Sequence, residues 1–290
     1  MNQKWALVIQ GGAVRASYSA GALEMFIEKD LYANRVYGCS CGSLLAADYT
    51  SHDAGRNYLL MTEAMKNPKF ISPIFYITKG RLFNFTWLFE EAPMIMPFNL
   101  PIFIKSETEL TAVATNLLTG KPTYFTDKRS PNIYRGLSAS CSMPRLSRTP
   151  VMVEGVPFLD GGVVERVPFH KAIEDGFEKI IVITTRAKDF RYVGKDEGVS
   201  NHEMSHMKSH FGDYPKFIEA YKENKKIYNE QMDELDKLEA DGKVFIIAPK
   251  VAPNISSMET KTSRIKAVYD TGKNDAYELL PNILDFLRRD

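Results

Sequence analysis

Ser40 stands between two glycines in Gly38-Cys39-Ser40-Cys41-Gly42, a G-x-S-x-G pentapeptide. That spacing suits a serine lifted above the end of a strand on a sharp turn. The turn strains the backbone of the serine, so the residues two places away must lack side chains. Arg35-Val36-Tyr37 before it is β-prone, and Ser43-Leu44-Leu45-Ala46-Ala47 after it is helix-compatible. The chemistry would be nucleophilic attack, with the helix dipole favouring a developing anion. The same pattern also occurs in ordinary Gly-rich loops that carry a surface serine.

Nucleophilic attack on a carbonyl also needs donors for the oxyanion and a base. Gln10-Gly11-Gly12-Ala13-Val14-Arg15-Ala16 follows an apolar run over 5–9 and precedes helical spacing of Ala20, Leu23, Phe26, Ile27 and Leu31. Glycines at a strand-to-helix turn direct backbone N–H groups outward and bind anions. A dinucleotide-binding turn would need Gly at 13 and 16, where this chain has Ala. Downstream, Val156-Pro157-Phe158-Leu159-Asp160-Gly161-Gly162 holds an Asp in a tight turn with room for close approach.

In this order the three segments resemble the patatin-like phospholipase family, in its bacterial branch. The stretches Thr115-Asn116-Leu117-Leu118-Thr119-Gly120-Lys121 and Ser138-Ala139-Ser140-Cys141-Ser142-Met143-Pro144 are similar to others of that family, so nearly the whole chain is covered. The resemblance implies a dyad without histidine: Ser40 as nucleophile on an elbow framed by Gly38 and Gly42, and Asp160 as general base in a turn with Gly161 and Gly162. It implies an oxyanion hole from the backbone N–H groups of Gly11, Gly12 and Ala13, with Arg15 steadying the loop or the bound anion. The substrate would be an acyl-ester lipid, reached through transient contact with a membrane surface, with no cofactor and no metal. The family pattern is Gly-Gly-Gly-x-Arg-Gly, and Ala13 and Ala16 replace two of its glycines. We expect Ala13 at negative φ with its N–H still directed toward Ser40.

Other readings stand beside this one. A degenerate member would bind lipid without hydrolysing it. His170 completes the chain order of a Ser-Asp-His triad, although its place after Pro168 reads as a capping or surface histidine. His202-Glu203-Met204-Ser205-His206 fits the zinc signature H-E-x-x-H, with His210 one turn on, but Gly and Pro crowd both flanks.

The composition is that of an ordinary globular chain: 44% hydrophobic, 25% charged and a net charge of +1 over 290 residues. No basic patch or module supports nucleic-acid binding. Three cysteines, two of them flanking Ser40, point to a reducing compartment rather than a disulfide framework. Neither a signal-peptide pattern nor an apolar run of the ~18 residues a membrane span needs is visible. The cytoplasm is the expected location.

Strand patterns at 5–9, 35–37, 109–114, 179–184 and 244–248 alternate with helical ones at 17–31, 43–52, 56–66, 214–240 and 275–289. The last helix is expected to break or kink at Pro281. The alternation predicts a three-layer α/β/α sandwich with a central, mainly parallel sheet, as one domain over 1–290. Residues 70–105 are rich in Phe and punctuated by Pro, and suit either an apolar cap over the site or packing on the sheet.

Overall fold

A computed structural model describes residues 4–289. In chain order the elements begin β1 (Trp5–Ile9), α1 (Ser17–Glu28), β2 (Arg35–Cys39), α2 (Cys41–Thr50) and α3 (Arg56–Thr62). Then come α4 (Pro73–Lys79), α5 (Phe85–Glu90), α6 (Leu100–Lys105), β3 (Glu109–Asn116), β4 (Lys121–Phe125) and α7 (Ile133–Ser140). The rest are β5 (Val151–Val153), β6 (Val156–Asp160), α8 (Phe169–Glu174), β7 (Lys179–Ile183), α9 (Asn201–Phe211), α10 (Pro215–Ala240), β8 (Val244–Ile247) and α11 (Thr262–Arg288).

One eight-stranded sheet runs β5-β6-β3-β2-β1-β7-β8, with β4 also pairing to β3. The pairs β3–β2, β2–β1, β1–β7 and β7–β8 are parallel, whereas β4, β5 and β6 pair antiparallel. Side chains alternate across a strand, and that alternation divides the core. Trp5, Leu7 and Ile9 of β1 face one cluster with α1, α2 and α11, while Ala6 and Val8 face another with α8 and α10. Helices therefore cover both faces, as the three-layer reading expects.

Phe217 and Tyr221, early in α10, pack with Met207 and Phe211 of α9. Tyr228, Met232 and Leu235, later in the same helix, pack on the sheet. The apolar stripe thus joins two layers in one helix.

Two expectations change. The last helix starts at Thr262 and runs unbroken through Pro281, which lies exposed. The 70–105 segment is mixed: Phe70, Phe83, Phe85, Trp87 and Phe103 are buried, while Ile74, Ile77, Met94 and Ile95 are exposed. Among the described residues no helix is long and apolar enough to cross a membrane.

Helices α1 and α11 meet through reciprocal glycines. A β-carbon on Gly21 would run into the Tyr269 carbonyl, and one on Gly272 into that of Tyr18. Beside this crossing the Tyr18 hydroxyl donates to Asp275 at 2.9 Å. Overpacking costs about 1–3 kcal/mol, more than the ~1 kcal/mol of helix propensity that Gly→Ala gains. Gly21→Ala and Gly272→Ala are each expected to lower Tm by roughly 2–8 °C. Differential scanning calorimetry checks this, and an unchanged or raised Tm contradicts the tight crossing.

Candidate active site

Strand β2 ends at Cys39 and α2 begins at Cys41, so Ser40 occupies the turn with φ 53° and ψ −132°. Left-handed φ in a residue with a β-carbon costs energy and needs support from its surroundings. Gly38 and Gly42 make the turn possible. A β-carbon on Gly38 would lie 2.5 Å from the Gly42 carbonyl oxygen, and one on Gly42 2.6 Å from that of Ile9. The Ser40 N–H donates to Ser140 Oγ at 2.9 Å, and its carbonyl accepts from Ser43 Oγ at 2.7 Å.

Strand β3 sets the distance to the second residue. Cys39 lies opposite Val113 and Asp160 opposite Ala114, the next residue of β3. Ser40 Oγ consequently donates to Asp160 Oδ2 at 2.7 Å. The other carboxylate oxygen accepts from the Gly162 N–H at 2.7 Å. The backbone of Asp160 is tied by Thr115 Oγ1 at 2.7 Å and by the Ser142 carbonyl at 3.0 Å. Burial pushes the Asp160 carboxyl up to about 6, while Ser40, the Gly162 N–H and Arg166 act in the opposite direction. Burial also raises the thiols beside Ser40, Cys41 to about 12 and Cys39 well above its ordinary value. They stay protonated and are poor competing nucleophiles.

The glycine-rich loop faces this pair, with two corrections to the expected geometry. The Gly11 N–H donates to the Arg166 carbonyl at 3.3 Å, so it is not an open donor. The N–H groups of Gly12 and Ala13 have no acceptor among the described residues, and both residues line the cavity over Ser40. Ala13 has φ 49°, not the negative value expected, which means the loop needs a left-handed residue where the family pattern has glycine. Ala16, by contrast, sits at φ −65° and is fully buried, so its β-carbon is unstrained.

The cavity measures about 470 Å³. Beside Ser40 and Asp160 its wall carries Arg15, Arg166, Arg186, Tyr192, Glu203 and Tyr221. An apolar groove meets it at Ser40, lined by Leu44, Met61, Phe70, Phe83, Phe85 and Met143. Trp87 and Phe103 are buried elsewhere in the core. His170 does not line either space, and its Nε2 pairs with Glu234 at 2.8 Å. Glu203 accepts from the Tyr221 hydroxyl at 2.6 Å, while the rings of His206 and His210 pack in a tilted arrangement with centres 4.5 Å apart. Among the described residues no three His, Cys, Asp or Glu side chains form a metal-sized group.

Sequence reasoning missed Arg166, Arg186, Tyr192 and Tyr221 as site residues. They converge from three separate segments, the connections after β6 and after β7 and the helix α10, with no local motif. It reached Glu203 through the zinc signature, for a role the geometry does not give it.

A family model described as patatin-like phospholipase matches residues 7–173, from β1 through most of α8. The chain belongs to the patatin-like phospholipase family. A second model, a domain of unknown function, matches 214–288, the stretch of α10, β8 and α11. The uncharacterized protein YjjU of Escherichia coli (strain K12) is 25% identical over 191 residues, 64% of this chain and 53% of that protein. The chain thus spans about half the length of this curated relative. The crystal structure of VipD from Legionella pneumophila aligns with a TM-score of 0.51 at 11% identity, over 97% of this chain and 67% of that one. That likeness concerns the fold alone. The type III effector ExoU aligns at a TM-score of 0.40 and 10% identity, over 99% of this chain and 54% of that one.

The left-handed Ala13 yields a direct test. A β-carbon there costs ~1–2 kcal/mol, partly offset by the unfolded-state entropy a glycine adds. Ala13→Gly is expected to raise Tm by about 1–3 °C. A fall in Tm on calorimetry would contradict the strained loop.

Proposed function

We propose that this chain is a serine acyl hydrolase for lipid esters, using Ser40 and Asp160 as a dyad. The observation that carries this reading is the 2.7 Å hydrogen bond from a strained Ser40 to a buried Asp160, in front of two open N–H groups. Ser40 Oγ attacks the ester carbonyl carbon as its proton passes to Asp160 Oδ2. The oxygen that becomes negative accepts hydrogen bonds from the Gly12 and Ala13 N–H groups. When the tetrahedral adduct collapses, the leaving alcohol takes the proton back from Asp160. A water then repeats the sequence on the acyl-enzyme and frees the acid. A carboxylate lifted by burial to about 6 is a better base than an exposed one yet is still ionised at neutral pH.

The groove with Phe70, Phe83 and Phe85 suits the acyl chain, since ligand sites are lined mostly by apolar side chains. Exposed Ile74, Ile77, Met94 and Ile95 suit transient contact with a lipid surface. The unpaired thiols Cys39, Cys41 and Cys141 fit a cytoplasmic location. No nucleic acid enters this reading. A lipid-binding member without activity is the second reading, favoured by the strained Ala13 where the family has glycine.

A fluorophosphonate probe should label wild type and not Ser40→Ala. Asp160→Asn should lose at least a hundredfold in kcat/KM, whereas His170→Ala should stay within about threefold. Because Asp160 must be ionised to act, kcat/KM on a neutral ester should fall tenfold per unit below about pH 6. Removing a cation from Asp160 by Arg166→Gln should move that limb upward. Labelling that survives Ser40→Ala, or a silent wild type, defeats the proposal.

Phe83→Ala should lower kcat/KM on long-chain p-nitrophenyl esters more than on short ones. Ile77→Ser should reduce hydrolysis of vesicle lipid while leaving soluble esters unaffected. Equal losses on both chain lengths would return Phe83 to a packing role, and unchanged vesicle hydrolysis would remove the surface contact.

A further inference from the structure

The cavity over Ser40 is lined by Arg15, Arg145, Arg166, Arg186 and Lys225, against only two carboxylates. Both carboxylates are engaged, Asp160 by Ser40 and Gly162 and Glu203 by Tyr221. Ion pairs of arginine elsewhere involve Arg35, Arg56, Arg191, Arg264 and Arg289. Among the described residues none of the four arginines at the cavity has a carboxylate within ion-pair distance. Arg15 Nε is buried and has no partner.

What holds these cations is aromatic. Arg166 Nη1 and Arg186 Nη2 both donate to one oxygen, the Tyr192 hydroxyl, at 2.8 and 3.4 Å. The Arg166 guanidinium lies 5.1 Å from the Tyr228 ring centre, and that of Arg186 lies 3.9 Å from the Phe190 ring centre. Lys225 Nζ lies 5.4 Å from the Tyr192 ring centre. These contacts fix the forks without neutralising them. All four arginines line the cavity, and a guanidinium offers planar donors that match phosphate oxygens. Arg166 Nη2 also reaches the Gly162 carbonyl at 3.5 Å, which ties the wall to the turn of Asp160. Burial first, and then the nearby Arg186 and Arg166, lowers Arg15 to about 10.

We propose that this wall is a phosphate subsite, and that the ester hydrolysed at Ser40 carries a phosphate with no compensating cation. The proposal rests on the hydrolase reading for its substrate and on the arginine geometry for its anion. A zwitterionic head group would need a free carboxylate or an open aromatic face for its ammonium. Here five cations line the cavity against two carboxylates, Asp160 is held by Ser40 and Gly162, and arginine or lysine already covers Phe190, Tyr192 and Tyr228, so the wall favours an anion that brings no cation of its own. A neutral ester would leave the forks unpaired. Arg186, Tyr192, Glu203 and Lys225 lie between or within the two stretches matched by family models, beyond residue 173.

The test compares dihexanoyl phosphatidic acid, dihexanoyl phosphatidylcholine and dihexanoylglycerol on the full chain. Wild type should prefer the first over each of the others by at least tenfold in kcat/KM. Arg186→Gln should cut that ratio about tenfold or more, the size of one lost charge-assisted contact. Lys222→Gln, exposed on α10 and outside the cavity, should leave the ratio in place. Inorganic phosphate should raise the Tm of wild type and not that of Arg186→Gln, a readout that does not depend on turnover. A ratio near one in an enzyme that hydrolyses all three overturns the proposal and spares the hydrolase reading. If phosphate raises Tm while that ratio stays near one, the site takes free phosphate and the proposed substrate is wrong. If no ester is cleaved and the probe leaves Ser40 unlabelled, the hydrolase reading fails. The phosphate-dependent Tm then decides the subsite alone, and no shift overturns it.

Discussion

Ser40 can hold a left-handed backbone only while everything around it is kept in place. Gly38 and Gly42 have no room for a β-carbon, because the elbow folds back on itself and against the end of β1. The tie from Ser140 Oγ to the Ser40 N–H makes α7 part of the elbow, and the Ser142 carbonyl ties the same helix end to Asp160. Strand β3 then works as a ruler, with Val113 opposite the residue before the serine and Ala114 opposite the aspartate. A register slip of one residue in β6 would turn the Asp160 side chain to the opposite face of the sheet. The parallel centre and the antiparallel edge are thus joined at the point where the dyad forms.

The parallel strands were legible because each is a short, nearly continuous apolar run bounded by turn residues, as in Trp5–Ile9 and Lys179–Ile183. Strands β4, β5 and β6 were not read as strands. Pro122 lies in β4, Pro157 in β6, and β5 is three residues long. Helix α7 carries Gly136, Ser138 and Ser140, residues that favour turns, and buries Gly136 and Ser140 by tertiary packing. The break expected at Pro281 does not occur because α11 is held along its length by Ile265, Tyr269, Ala276 and Ile283, all buried. Local propensity there yields to packing.

The site divides in the same way. Ser40, Asp160 and the glycine-rich loop were legible as local patterns with a turn chemistry attached. The arginine wall was not, because Arg15, Arg166, Arg186 and Lys225 are far apart in the chain and meet only after the sheet and α10 are assembled. The aromatic insertion was half legible. Its composition announced an apolar space, but nothing local distinguishes Phe83, which lines the groove at Ser40, from Phe103, which does not.

Several unfavourable terms of this fold lie where the chemistry is proposed. Ser40 and Ala13 both line the cavity, with φ of 53° and 49°, and both carry a β-carbon. Asp160 adds a cost of another kind. Its carboxyl is raised from 3.8 to about 6, so the folded chain holds that proton more tightly than the unfolded chain does. The stability linked to this proton is present below about pH 4 and is lost as pH rises toward 6, the range in which the base becomes ionised. Arg166 offsets part of that cost by favouring the charged form, but it is itself one of a group of cations with no carboxylate partner. The central strands β1 and β2 lead directly into these strained residues, and their regular packing, with the glycine crossing of α1 and α11, is what allows the site to stay strained and charged.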